Sequence, residues 1–143
     1  LLGTRNYTAP EYLLGEPGSN RSDIFSLGTI AYELLTGKLP YGNALENADN
    51  PRAISKLTYQ SSTLRNPMIP LWMDRSLQKA VHPDPQQRYG TLSEFVHDLS
   101  HPNPEFMKDQ HRPLLEKDPA KFWRLLALAM VLTNLVLVYF LLS

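Results

Sequence analysis

Four histidines and no cysteine give this chain few groups for nucleophilic or metal chemistry. Without cysteine there is no disulfide framework and no Cys-based metal site. His97 and His101 stand four residues apart, but no third ligand or general base accompanies them, so solvated or capping roles fit better. Asn6-Tyr7-Thr8 and Asn20-Arg21-Ser22 match the glycosylation pattern, yet both asparagines have simpler turn readings. What remains is a set of hydroxyls, carboxylates and one arginine among glycines and prolines: Gly3, Thr4, Tyr7, Glu11, Asp23 and Arg88. The chemistry open to them is positioning, by charge pairing and hydrogen bonding.

Their setting is specific. Gly3-Thr4-Arg5-Asn6-Tyr7-Thr8-Ala9-Pro10-Glu11 opens the chain. Asp23-Ile24-Phe25-Ser26-Leu27-Gly28 follows, then Tyr32-Glu33-Leu34-Leu35-Thr36-Gly37-Lys38-Leu39-Pro40-Tyr41, then Asp84-Pro85-Gln86-Gln87-Arg88-Tyr89. In this order and spacing the four runs resemble the second half of a eukaryotic-type serine/threonine protein kinase domain. The first resembles the end of the activation segment. The second resembles Asp-x-Trp-Ser-x-Gly, with Phe25 where Trp is usual. The resemblance covers about the first hundred residues. The distal run, Arg88-Tyr89 and Leu92-Ser93-Glu94-Phe95, then Pro113-Leu114-Leu115-Glu116 before Phe122-Trp123, is most similar to bacterial bifunctional proteins. These join a metal-dependent phosphatase domain to a kinase domain and end in one membrane helix.

The resemblance implies roles residue by residue. Gly3, Thr4 and Tyr7 would belong to the substrate-docking loop, with Thr4 beside the reacting hydroxyl. Glu11 and Arg88 would form a buried ion pair, and Asp23 would accept backbone N–H bonds from a catalytic loop. The glycine-rich loop, the ATP-anchoring Lys, the His-Arg-Asp loop and the Asp-Phe-Gly motif are not in this sequence. The full-length protein would therefore use ATP and Mg, and this fragment would bind neither and be inactive alone. Its partners would be a protein substrate and the missing N-terminal lobe and catalytic loop. The alternative is a non-catalytic pseudokinase or truncated docking module.

The elements that must hold these residues read as helical. A short helix is expected after Pro10. A helix buried on most sides is expected over Ser22–Thr36. Ser22 would cap it, Asp23 would favour its dipole, and Gly37 and Pro40 would end it. Gly42–Pro51 reads as a polar loop, Ala53–Leu57 as a weak helix and Thr58–Pro70 as loop. Leu71–Val81 is amphipathic, with Trp72, Leu77, Ala80 and Val81 inward and Asp74, Arg75, Gln78 and Lys79 outward. Thr91–Leu99 begins with a capping box from Thr91 and Glu94.

The zero net charge offers no basic face for nucleic acid. The last strong signal is Leu125–Leu142, about 18 residues without an ionised side chain and long enough to span a bilayer core. Lys121 and Arg124 flank only its N-terminal side, which places the preceding residues in the cytoplasm and Ser143 opposite. The organisation expected is therefore mainly α. Residues 1–100 form a partial kinase C-terminal (large) lobe, 101–120 a Pro-rich charged linker, and 121–143 a single transmembrane helix in a lipid bilayer.

Overall fold

The run Gly18-Ser19-Asn20-Arg21-Ser22-Asp23 offers several capping side chains, and the chain uses the first serine. In the computed structural model, which describes residues 5–107 and 119–142, helix α2 spans Asn20–Thr36. Ser19 has extended backbone and accepts from the Arg21 N–H at 3.2 Å. The Ser22 hydroxyl reaches back to accept from the Ser19 N–H at 3.0 Å. Ser22 is thus not the cap, as the sequence suggested, but the third residue of the helix, closing a reciprocal box. Its position is fixed by a second bond, to Glu11. At the other end Gly37 takes φ 67° and donates to the Glu33 carbonyl at 2.7 Å, as expected of a glycine stop.

Around α2 the other elements are short. Helix α1 is Pro10–Leu13, with proline in the first turn where a missing N–H costs nothing. A turn of tighter helix covers Leu45–Asn47. Helix α3 is Pro51–Ile54, earlier than the Ala53–Leu57 expectation, because Asn50 caps it by accepting from the Ala53 N–H at 2.9 Å. Helices α4, Leu71–Ala80, and α5, Leu92–Ser100, lie close to the predicted bounds. Thr91 caps α5, accepting from Glu94 N–H at 3.3 Å. The Glu94 carboxylate takes the Gly90 N–H instead of closing the box on Thr91. Within the expected linker, Pro104–Met107 forms a helical turn, α6, whose Phe106 packs on the core.

Two apolar clusters share α2. Phe25 enters one with Ala9, Tyr41, Leu45, Ala48 and Val81. Ile24 and Tyr32 enter the other with Leu77, Ala80, Tyr89 and Phe95. The remaining face departs from expectation: Leu27, Ile30 and Leu34 are 42%, 43% and 82% exposed. They recur at helical spacing, so half of the helix is covered rather than most of it. Asp74 also departs, being buried on α4. It accepts from Ser62 N–H at 2.6 Å, Ser62 Oγ at 2.8 Å, Tyr59 Oη at 2.9 Å and Ser61 Oγ at 2.9 Å, and so organises the Ser62–Leu64 turn. Trp72, expected on the inward face, is half-buried.

The chain divides into two units, residues 1–106 and 107–143. The described part of the second is helix α7, Pro119–Leu142. Its stretch Phe122–Tyr139 has mean hydropathy 1.8 and is long and apolar enough to cross a membrane by length and composition.

α2 and α4 meet where α2 has no side chain. A Cβ on Gly28 would stand 2.9 Å from Ala80 Cβ and 2.9 Å from Val81 Cγ1. Overpacking costs about 1–3 kcal/mol, against about 1 kcal/mol gained from helix propensity. Gly28→Ala is expected to lower stability by about 1 kcal/mol net in urea melts. A stabilised variant would contradict the close approach.

Candidate functional site

Arg88 and Glu11 stand 77 residues apart in sequence and meet in the interior. The contact is bidentate: Nη1 to Oε1 at 2.8 Å and Nη2 to Oε2 at 2.8 Å. The Arg88 side chain is fully buried and Glu11 nearly so. The remaining arginine donors are also used. Nη1 donates to the Arg21 carbonyl at 3.0 Å, Nη2 to Pro83 at 3.1 Å and Nε to His82 at 2.6 Å. All five guanidinium N–H bonds thus have acceptors. The guanidinium lies 4.8 Å from the centre of the Phe25 ring, within cation–π range. On the other side, Ser22 Oγ donates to Glu11 Oε1 at 2.6 Å.

Burial alone would raise the Glu11 pKa. The hydrogen bonds from Arg88 and Ser22 outweigh it and hold the carboxyl below its ordinary 4.5.

The pair pins the end of a loop. Upstream of Glu11, Pro10 starts α1 and Ala9 is fully buried. Arg5–Tyr7 forms a tight helical turn. Tyr7 Oη donates to Glu33 Oε2 at 2.6 Å, and Ser26 Oγ donates to the Tyr7 carbonyl at 2.7 Å. The hydrogen bond to Glu33 raises the Tyr7 pKa, keeping the phenol a donor. Asn6 is buried, and its Oδ1 has no partner among the described residues. Both contacts to Tyr7 come from α2, so the loop rests on that helix.

The structure therefore brings together Glu11, Arg88 and, through α2, Tyr7. Asp23 is exposed in the first turn of α2, and among the described residues its carboxylate makes no side-chain hydrogen bond. Gly3 and Thr4 lie outside the described residues. Sequence reasoning missed Glu33 and Ser26 as supports and missed the second role of Ser22. The only available signal was that Ser26 and Glu33 sit inside the quoted motifs and Ser22 directly before one. Among the described residues no group of three or more His, Asp or Glu could hold a metal ion.

Removing either ion-pair partner leaves a buried charge uncompensated, at about 3–5 kcal/mol. Glu11→Ala and Arg88→Ala are each expected to lose that much in denaturant melts, with the double variant costing less than the sum. Additive losses would refute the coupling. Because the folded-state pKa of Glu11 is depressed, its contribution is complete above pH 4.5 and fades as pH falls through the folded value. The parent chain should therefore lose stability more steeply than Glu11→Gln, whose amide does not titrate, as the pH falls below the ordinary carboxylate value of 4.5.

Comparison with known proteins agrees with this geometry. The family model for the protein kinase domain matches residues 1–102. The chain is similar to a probable serine/threonine-protein kinase of Clostridium acetobutylicum, 29% identical over 85% of this chain and 18% of the relative. It is similar to the serine/threonine-protein kinase PknD of Chlamydia felis, 30% identical over 87% of this chain and 13% of the relative. It is also similar to the probable serine/threonine-protein kinase PknB of Bifidobacterium longum, 35% identical over 69% of this chain and 14% of the relative. None of the three is named as a phosphatase. The chain thus spans less than a fifth of the length of these relatives. Its helical architecture, the Glu11–Arg88 pair and these matches place the chain in the serine/threonine protein kinase family, as part of a protein kinase domain.

Proposed function

We propose that this chain is the C-terminal part of a membrane-anchored serine/threonine kinase that transfers the γ-phosphoryl of ATP to protein hydroxyls. The observation that carries the reading is the way Tyr7 and Glu11 hold one loop against α2 and Arg88. Phosphoryl transfer depends on positioning and charge stabilisation. The residues here supply positioning. In this reading Gly3, Thr4 and Tyr7 belong to the substrate-docking loop, Thr4 would serve at the acceptor hydroxyl, and Glu11 and Arg88 keep the loop in register with the scaffold. In this reading the lobe runs through Phe106, which packs on its core, and α7 is the membrane helix. The bare side of α2, with Asp23, Leu27, Ile30 and Leu34, supports a further protein body seated there, and the catalytic loop of the longer protein is the fitting occupant.

ATP carries the group that is transferred, and a divalent metal would accompany it. The described residues offer no set of carboxylates to hold that metal. The phosphate-holding residues of this reading lie upstream. The narrower likeness to bacterial phosphatase–kinase proteins belongs to the same proposal and rests on the distal runs alone.

Calorimetry of the 143-residue chain with MgATP should give no binding heat, whereas micromolar affinity would show that the site has been misplaced. A phosphorylation assay on the longer protein decides between the enzyme and a non-catalytic docking module. Transfer to protein substrate supports the first, and its absence with the fold intact supports the second.

α7 supports the anchor. The Leu, Val and Phe residues of Leu125–Leu142 favour insertion by roughly 4–7 kcal/mol on central-position values. Lys121 and Arg124 keep the kinase part cytoplasmic. Replacing Leu128 and Leu132 together with Lys costs roughly 2.5–3.5 kcal/mol for each charge and forfeits two leucines. The double variant should leave the membrane on carbonate extraction, while the parent chain stays. Release of the parent chain would sink the anchor.

A further inference from the structure

α7 contains two polar residues in its apolar stretch, and they are satisfied unequally. Thr133 Oγ1 bonds its own helix, at 3.1 Å from the Ala129 carbonyl and 2.9 Å from Met130. Asn134 donates one N–H to the Met130 carbonyl at 2.9 Å. Its amide oxygen and second N–H have no partner among the described residues. Asn134 is exposed. At a rise of about 1.5 Å per residue it sits roughly 12–14 Å from either end of Leu125–Leu142, near mid-bilayer if the helix spans. Lipid tails can neither donate nor accept a hydrogen bond, so an amide there needs a protein partner.

We propose that α7 pairs with the α7 of a second copy of this chain, through Asn134. This rests on the membrane reading above. A primary amide is self-complementary, since one oxygen and one N–H on each side close two bonds between identical residues. Orientation matches as well. Every copy enters with Lys121 and Arg124 on the same flank, so two parallel helices bring their Asn134 residues to the same depth. The neighbours complete a seam: Trp123, Ala127, Met130, Asn134 and Leu137 recur at alternating intervals of four and three, the spacing of a left-handed helix pair. Met130 and Leu137 are about three-fifths exposed, and Ala127, about two turns before Asn134 on the same face, allows close approach.

The absence of cysteine makes the test direct, because any introduced thiol is the only one. The full chain is placed in lipid vesicles carrying a single cysteine at Ala127, Met130 or Leu137, or at Leu125, Leu132 or Tyr139 on the far side of the helix. Oxidative cross-linking should give homodimer from the first three and little from the others. Asn134→Leu, which keeps the helix apolar, should stay in the membrane on carbonate extraction. It should weaken self-association at least roughly threefold, since the measured span for one such bond is about three- to thirtyfold and the pair has two. Asn134→Gln should restore it. If Asn134→Leu stays membrane-bound and dimerises as well as the parent, the pairing is overturned and the anchor stands. Cross-links of equal yield on both sides, or only to another protein, overturn the pairing too. Release of the parent chain from the membrane overturns both.

Discussion

A guanidinium buried without water must find an acceptor for every N–H, and the lobe is arranged around that requirement at Arg88. Its five donors reach Glu11 and Arg21, 77 and 67 residues away in sequence, and the nearby carbonyls of His82 and Pro83. Neighbouring choices follow. The backbone around Pro83 turns its carbonyls inward, Phe25 gives a flat surface beneath the charge, and Ser22 completes the carboxylate. A buried ion pair of this kind is weak evidence for net stability, because desolvation consumes much of the Coulombic gain. Its sharper effect here is on geometry, since few other arrangements of these segments satisfy every donor.

α2 converts that geometry into a support. Its Ile24 and Phe25 faces feed separate clusters, Gly28 admits α4, and Ser26 and Glu33 hold Tyr7. The loop that carries Tyr7 is thus tied to the helix that both apolar clusters share. Displacing Tyr7 would require breaking contacts with two turns of that helix.

The sequence was most legible where one residue type has one physical use. Gly37 with Pro40 marked a helix end, Thr91 marked a start, and the motif runs marked the Glu11–Arg88 pair. It was least legible where the outcome depends on partners distant in the chain. Ser19 and Ser22 are equally good caps by type, and Glu11 decides between them by drawing Ser22 away. Asp74 falls on the polar side of its helix by periodicity. Its burial follows from the hydroxyls and N–H of residues 59–62, which no helical wheel contains. Leu27, Ile30 and Leu34 look like core residues by composition, and their exposure follows from what packs on α2, not from their type. Asn50-Pro51 was a readable start signal that gave way to the weaker apolar run after it.

The separation of Glu11 from Arg88 has a consequence for biosynthesis. At elongation rates of roughly 5–20 residues per second, 77 residues take about 4–15 s to add. Through that interval Glu11 has left the peptidyl-transferase centre while its partner does not yet exist. Helix α2 and its serine cap can form early, because their contacts are local. The carboxylate must stay hydrated, and the loop before it undocked, until the Asp84–Arg88 turn emerges. Closure of the lobe is therefore timed by the ribosome, and the nascent loop before Glu11 is exposed to chaperones and proteases for that whole window.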